Sequence, residues 1–410
     1  MRVCVVGSGG REHALALALA RTGSAVEVTP GNPGIPGSVA SPPEEVDADL
    51  YVIGPETPLV AGLADRLRAA GRLVFGPGAD GARLEGSKAW MKEVLAEAGV
   101  PSARYGTFSA VGPAVDFLRT LAGPWVVKTD GLAAGKGVLV TDSFDEAAAD
   151  VRAKLSGQAF GDAGRRVVIE EWLDGPELSL LCVCDGNLAV PLAPAQDFKR
   201  LGDGDAGPNT GGMGAYSPVP MAGPGVVAQV LEGAVQPTLD ALRARGVDYR
   251  GVLYAGLMLT SEGPKVLEYN VRFGDPEAQV VLPRYAGNLA ALLAEAAAGR
   301  LESAPRFDDR AAVTVVLATE GYPFRPRTGD VIGGLDEADA LPDVTVFRAG
   351  VDRDPDGRWL TAGGRVLNVT GMGEDLPAAR ATAYGAVSRI SWPGMQYRAD
   401  IAGTAVHSAW

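Results

Sequence analysis

The chain has 410 residues, of which 47% are apolar and 21% charged, with 55 glycines, 29 prolines and a formal net charge of −13. This is the composition of a globular protein of about two to four domains, and an acidic balance without a basic tract argues against a nucleic-acid partner. No run of about 18 uncharged apolar residues exists to span a membrane, and Gly7 to Glu12 interrupt the first apolar stretch where a signal peptide would be unbroken, so a cytoplasmic location is the expectation.

Residues 2–6 (RVCVV) form a buried-strand run, followed by a glycine-rich turn and a helix from Arg11 to about Arg21. A second strand, Leu50 to Ile53, ends in Gly54-Pro55-Glu56, and a helix over 59–70 leads to a strand at 73–75. This strand–helix alternation predicts a doubly wound parallel sheet over roughly the first 85 residues. Between Gly31 and Asp49 the chain is Pro-rich where another helix would fit, so that corner of the sheet is expected to be trimmed. A helix from Lys88 to about Ala98 stops at Gly99 and Pro101. After it come a helix at 113–121, a strand at 125–128, a glycine-rich loop, a strand at 138–140, a helix at 143–155 and a strand at 167–171, which together make a small α+β unit. Residues 196–217 are polar, glycine-rich and too long for a simple connector, which marks them as functional. A helix over 225–245 precedes a hairpin, 251–260 and 264–273, and a third unit begins near 311 with a helix at 375–389.

Three cysteines (Cys4, Cys182, Cys184) cannot build a disulfide framework and read as small core residues. Two histidines, His13 and His407, are too few for a multi-histidine zinc site. Chemistry must therefore rest on carboxylates, amides, Lys, Arg and backbone donors. Gly7-Ser8-Gly9-Gly10-Arg11-Glu12 lies between strand and helix, where free N–H groups and the positive end of the helix dipole suit a phosphate; a plain tight turn is the alternative. Gly131-Leu-Ala-Ala-Gly135-Lys136-Gly137 follows Lys128 but has three residues between its glycines, and Gly137 where a Walker A loop carries Ser or Thr. A glycine loop closing over a triphosphate, with Lys128 and Lys136 meeting its charge, fits better than a P-loop; a bare hairpin is the competing reading. From Leu267 to Phe273 strict alternation puts Leu267, Tyr269, Val271 and Phe273 on one face and Glu268, Asn270 and Arg272 on the other. Glu268 and Asn270 would stand roughly 6.5–7 Å apart along the strand, a span that one Mg²⁺ with a phosphate bridges using hard oxygen ligands. Arg272 follows on the same face, able to grip an anion, although a half-exposed strand with a wet face gives the same pattern. Val167 to Leu173 with Glu170, Glu171 and Glu177 reads either as exposed backbone for a purine edge with a carboxylate for ribose hydroxyls, or as an edge strand with solvated acids.

These segments, in this order, resemble the ATP-grasp ligases and, within them, the phosphoribosylamine–glycine ligase family. The resemblance is carried by Gly7–Ala14, Gly54–Leu59, Leu84–Lys88, Lys128–Val138, Phe160–Glu171, Tyr254–Met258 and Gly363-Gly364-Arg365-Val366-Leu367, and most specifically by Pro208–Pro218 (PNTGGMGAYSP) with Arg272–Glu277. It implies an α/β and α+β multidomain chain: a Rossmann-like substrate domain at 1–86, an ATP-grasp unit of two α+β subdomains at 87–300 with 122–186 as its mobile small subdomain, and a small C-terminal α+β domain at 301–410. Lys88, Lys128, Gly135, Lys136 and Gly137 would meet the phosphates of ATP, Glu170 and the Leu173 backbone the adenine, and Glu177 the ribose. Glu268 and Asn270 would hold Mg²⁺ or Mn²⁺. Gly9, Gly10, Arg11, Glu12, Gly54, Pro55 and Glu56 would bind 5-phosphoribosylamine, with Gly211 and Gly212 also in the substrate site. Asp197, Lys199 and Arg272 would lie near glycine, with Arg272, Lys136 and Asp197 closest to the chemistry. The implied reaction joins glycine to phosphoribosylamine through glycyl phosphate; a monomer is the separate expectation, since the sequence shows no self-complementary apolar patch. Two departures stand out: family members commonly have His in the position of Phe198, and the segment 35–48 is short. A degenerate ATP-binding protein, or an ATP-grasp ligase for another carboxylate or amine, are the competing functions.

Overall fold

The computed structural model describes residues 1–132, 137–157 and 165–407. Gly135 and Lys136 thus lie outside the described residues, as does most of the glycine loop. The N-terminal sheet has four parallel strands in the order Ala25–Pro30, Arg2–Gly7, Leu50–Ile53, Val74–Phe75. Cys4, Val5, Leu50 and Tyr51 are fully buried, as the apolar runs of a parallel sheet covered on both faces require. The expected helix at 59–70 is two helices, Glu56–Val60 and Leu63–Ala69, separated where Gly62 takes a left-handed conformation (φ +75°). The short segment 35–48 holds only a 3₁₀ turn, Pro43–Glu45. Gly37 and Val39 nonetheless bond to both sides of Val28, at 2.9 Å each, and so cover the sheet edge that a missing helix would have left open.

Two antiparallel four-stranded sheets follow. The smaller has the order Tyr105–Phe108, Val167–Glu171, Trp125–Thr129, Val138–Thr141, backed by the helices Val111–Leu118 and Phe144–Leu155. The larger has the order Ala189–Pro191, Glu177–Asp185, Arg250–Thr260, Gly263–Asn270. The smaller sheet therefore starts at Tyr105 and leaves out Glu177–Asp185, unlike the 122–186 span expected from sequence. Cys182 and Cys184 are fully buried on that excluded strand, as small core residues.

The third sheet differs most from expectation. Its order is Gln196–Asp197, Gly214–Ser217, Ala311–Ala318, Arg365–Gly373, Val344–Arg348, so the polar segment 196–217 supplies two of its five strands. Helix Leu376–Val387 lies close against it, and Gly371 and Gly373 permit this, since a Cβ at either would strike the helix backbone at Ala383 or Ala379. The ATP-grasp and C-terminal units are thus joined by a shared sheet.

Candidate active site

Glu12 organises the first loop. Its carboxylate accepts the Gly9 N–H at 2.6 Å and pairs with Arg11 Nε at 2.6 Å, and both side chains are buried. A Cβ on Gly7, itself at φ +131°, would come within 2.6 Å of Glu12 Cγ, and one on Gly54 would overlap the Glu12 carboxylate. The glycines of this loop therefore make room for the chain's own carboxylate. Arg11 reaches across to the Phe273 carbonyl at 3.1 Å, tying the N-terminal domain to the turn after the last strand of the larger sheet. His13 is buried, its Nδ1 accepts the Arg348 N–H at 2.9 Å, and burial with the nearby Arg348 charge lowers it to about 3. It is neutral at physiological pH and plays no part in this cluster.

The strand Gly263–Asn270 carries a bulge: Val266 pairs with Leu257 and Glu268 with Gly256, leaving Leu267 as the extra residue. Leu267 is thereby separated from Tyr269 and Val271 and packs instead with Ala103, Leu173 and Met258, so the strict alternation expected from 267 to 273 fails at its first position. Glu268, Asn270 and Arg272 remain together on the half-buried side. Arg272 pairs with Glu85 at 2.7 Å and Glu56 at 3.3 Å, and contacts Asn270 Oδ1 at 3.3 Å. Glu85 also accepts the Val271 N–H at 2.9 Å. Burial raises the Glu268 carboxyl, but Lys199, Lys128, Lys88 and Arg272 together hold it below the ordinary value, so it is ionised and faces four cations.

Ser87 caps the helix Lys88–Glu97, its hydroxyl accepting the Trp90 N–H at 3.2 Å and bonding to Asp130 at 3.0 Å. This fixes Lys88, whose Nζ donates to the Gly131 carbonyl at 3.3 Å; burial lowers it, with Glu268 opposing. Gly137, at the far end of the loop, gives its carbonyl to the Thr129 N–H at 2.9 Å. Lys128 donates to the Leu267 carbonyl at 3.2 Å and pairs with Glu170 at 2.9 Å. The other Glu170 oxygen lies 3.2 Å from Lys92, close as charges but not aligned as a hydrogen bond. The Glu170 side chain therefore faces two lysines. Burial raises its carboxyl, and the two lysines more than reverse that. Leu173 is buried beside Ala103 and Met258.

Lys199 joins Glu177 at 2.7 Å to Asp197 at 2.9 Å. Burial carries Asp197 up to about 7 against the pull of Lys199, with Glu277 and Glu177 adding to the rise. Behind it, buried Tyr254 donates to Glu277 at 2.6 Å and meets Ser179 Oγ at 2.8 Å. Phe198 turns the other way, its ring 6.2 Å from that of Tyr216 and 4.8 Å beneath the Arg398 guanidinium. Gly211 and Gly212 lie on a turn held by Arg365, and Gly212 takes φ +108° with a Cβ position 2.5 Å from Pro276 Cδ.

Lys88, Lys128, Lys199 and Arg272, from separate stretches of the chain, thus converge on Glu268. The sequence reading missed Glu85, Lys92, Tyr254, Glu277 and Arg365 as members of the cluster. Lys92 stands one turn beyond Lys88, a spacing visible in the sequence; Glu85, Glu277 and Arg365 lie inside stretches already singled out.

Lys128 on an inner strand of the smaller antiparallel sheet and Lys88 at the start of a helix, opposite a carboxylate and an amide on one strand of the larger sheet, define an ATP-grasp ligase. Residues 1–85, 86–278 and 312–404 match the family descriptions "Phosphoribosylglycinamide synthetase, N domain", "ATP-grasp (A) domain" and "C domain" respectively. The chain is 50% identical over 426 aligned positions to the phosphoribosylamine–glycine ligase of Streptomyces coelicolor, covering 99% of each, and 48% identical to that of a Synechocystis species, covering 98% of this chain and 99% of the other. The crystal structure of phosphoribosylamine–glycine ligase from Thermotoga maritima superimposes with a TM-score of 0.86 at 36% identity, covering 98% of this chain and 100% of that one. The biotin carboxylase domain of Hydrogenobacter thermophilus 2-oxoglutarate carboxylase shares the fold alone, with a TM-score of 0.73 at 17% identity over 97% of this chain and 91% of that one. The chain belongs to the phosphoribosylglycinamide synthetase family.

Proposed function

We propose that the chain joins glycine to 5-phosphoribosylamine at the expense of ATP, giving glycinamide ribonucleotide, ADP and phosphate in de novo purine biosynthesis. The observation that carries this reading is the ionised Glu268, set beside Asn270 and Arg272 and facing Lys88, Lys128 and Lys199. Among the described residues no three His, Cys, Asp or Glu side chains converge on one point to hold a metal. The hard oxygens of Glu268 and Asn270 nonetheless fit a Mg²⁺ or Mn²⁺ ion, which these two residues would hold together with the nucleotide. Such an ion supplies charge neutralisation for phosphoryl transfer.

Lys88, Lys128, Gly135, Lys136 and Gly137 would meet the phosphates of ATP. Glu170 and the Leu173 backbone would reach adenine, and Glu177 the ribose. Asp197 and Lys199 would place glycine, and Arg272 would neutralise charge as the glycine carboxylate attacks the γ-phosphorus and ADP leaves. Gly9, Gly10, Arg11, Glu12, Gly54, Pro55, Glu56, Gly211 and Gly212 would line the site for phosphoribosylamine. Its amine nitrogen forms the new bond to the acyl carbon, the bond from that carbon to phosphate oxygen breaks, and the amine loses one proton. Positioning and charge neutralisation carry such a reaction without a protein nucleophile.

The test is ADP release from ATP and Mg²⁺ with glycine and freshly generated phosphoribosylamine, omitting each in turn and reading product mass in parallel. ADP formed only with the full set, beside the mass of glycinamide ribonucleotide, is the expected result. ATP binding without ADP, or turnover with another amino acid or amine in place of these substrates, would overturn the proposal.

A further inference from the structure

We infer that Arg365, from the C-terminal unit, is a positioning residue that locks together the two turns on which the substrate site is built; this rests on the reaction proposed above. Its Nη1 donates to the carbonyls of Gly211 at 2.5 Å, Gly212 at 3.3 Å and Asp275 at 2.7 Å, while Nη2 pairs with the Asp275 carboxylate at 2.9 Å. One guanidinium thus bonds to the turn before strand Gly214–Ser217 and to the turn between Arg272 and Glu277. A planar fork with five donors suits this task, whereas a lysine ammonium reaches one turn or the other.

The surroundings are built for the guanidinium. A Cβ on Gly211 would meet its Cζ at 3.1 Å, and the Gly211 N–H is taken up by the Tyr322 hydroxyl at 3.1 Å. Asp275 is fixed from its other side by Gln279 Nε2 at 2.7 Å. The same turn receives Arg11 from the N-terminal domain at the Phe273 carbonyl, 3.1 Å away. Arginines from the two flanking domains therefore hold the 273–276 turn of the ATP-grasp unit, and Arg272 and Glu277 stand at its two ends. Lys88 and Lys128, the cations for the nucleotide, make no contact with Arg365. The C-terminal unit is in this reading a working part of the amine and amino-acid side of the site, with no hold on the nucleotide side.

The experiment compares the full-length protein with Arg365→Gln and Arg365→Lys, measuring kcat and KM for glycine and phosphoribosylamine, and nucleotide affinity with a fluorescent ADP analogue. Misplacement of the turns by an ångström lowers kcat/KM for glycine roughly 100-fold, with nucleotide affinity unchanged and partial recovery in Arg365→Lys. Normal kcat/KM in Arg365→Gln, or nucleotide affinity lost in step with turnover, overturns the inference. A wild-type enzyme that forms no glycinamide ribonucleotide overturns the proposed reaction instead. Should Arg365→Gln not fold, Gly211→Ala is the second variant, since its methyl displaces the guanidinium without removing the charge. The same split between glycine turnover and nucleotide affinity is expected there, and its absence counts against Arg365.

Discussion

Glu85→Gln isolates what holds Arg272 in place. The Glu85 carboxylate receives two donors, the Val271 N–H at 2.9 Å and Arg272 Nη2 at 2.7 Å, and only a tenth of the side chain is exposed. A glutamine of the same shape has one acceptor oxygen for those two donors, and its amide N–H₂ must face the other. Losing a hydrogen bond to a charged group costs about 1.5–3 kcal/mol, and breaking a buried pair by removing one partner about 3–5 kcal/mol. Arg272 keeps Glu56 at 3.3 Å, which places the loss toward the lower end, about 2–3 kcal/mol. Expressed wholly at the transition state, that is roughly a 30- to 150-fold fall in kcat/KM for glycine. The assay is coupled ADP release at varied glycine, with nucleotide affinity measured alongside, since Glu85 also exerts a minor attraction on Lys88. Turnover in Glu85→Gln within about threefold of wild type, under 1 kcal/mol, would refute the idea that Glu85 anchors Arg272.

Asp197, held near 7 by burial, should give kcat/KM for glycine an acid limb that rises through about that pH as its carboxylate forms; a flat profile between about pH 6 and 8 would remove Asp197 from the chemistry. Its folded value lies above the ordinary 3.8, so the folded chain binds more protons than the unfolded one between those values, and the Asp197 contribution to stability falls as pH rises across that window. Denaturant midpoints of wild type and Asp197→Asn at several pH values check that sign. Phe198→His should leave turnover unchanged, because the side chain faces Arg398 and Tyr216 and not Asp197 or Lys199; a change of roughly tenfold, about 1.4 kcal/mol, would show that the position acts on the site. Gly54→Ala should displace the Glu12 carboxylate, weakening its bonds to Gly9 and Arg11 and raising KM for phosphoribosylamine while nucleotide affinity holds; an unchanged KM would show that Glu12 does not shape that pocket.

Much of this was legible locally. The apolar runs at 2–6 and 50–53 could only be parallel strands covered on both faces, and the alternation of Glu268, Asn270 and Arg272 fixed their common side. The bulge at Leu267 was hidden because an apolar residue fits the alternating pattern whichever small core it joins. Nothing near Glu170 in sequence announces its partner Lys92, some 80 positions away but 3.2 Å distant in the fold. Glu85 and Arg365 were inside recognisable stretches, yet their partners stand far along the chain and leave no local period. The shared sheet was invisible for the same reason: strand Gly214–Ser217 carries no sign of its partner at Ala311–Ala318.

That sheet has a consequence for how the protein is made. Ala215 pairs with Thr314, about 100 positions later in synthesis. At roughly 5–20 residues per second, the strand bearing the site's glycine turn waits on the order of 5–20 s for its neighbour to leave the ribosome. Arg365, which locks the turn, emerges later still. A nascent chain thus carries Lys88 and Lys128 well before its substrate turns can be set by the shared sheet and Arg365.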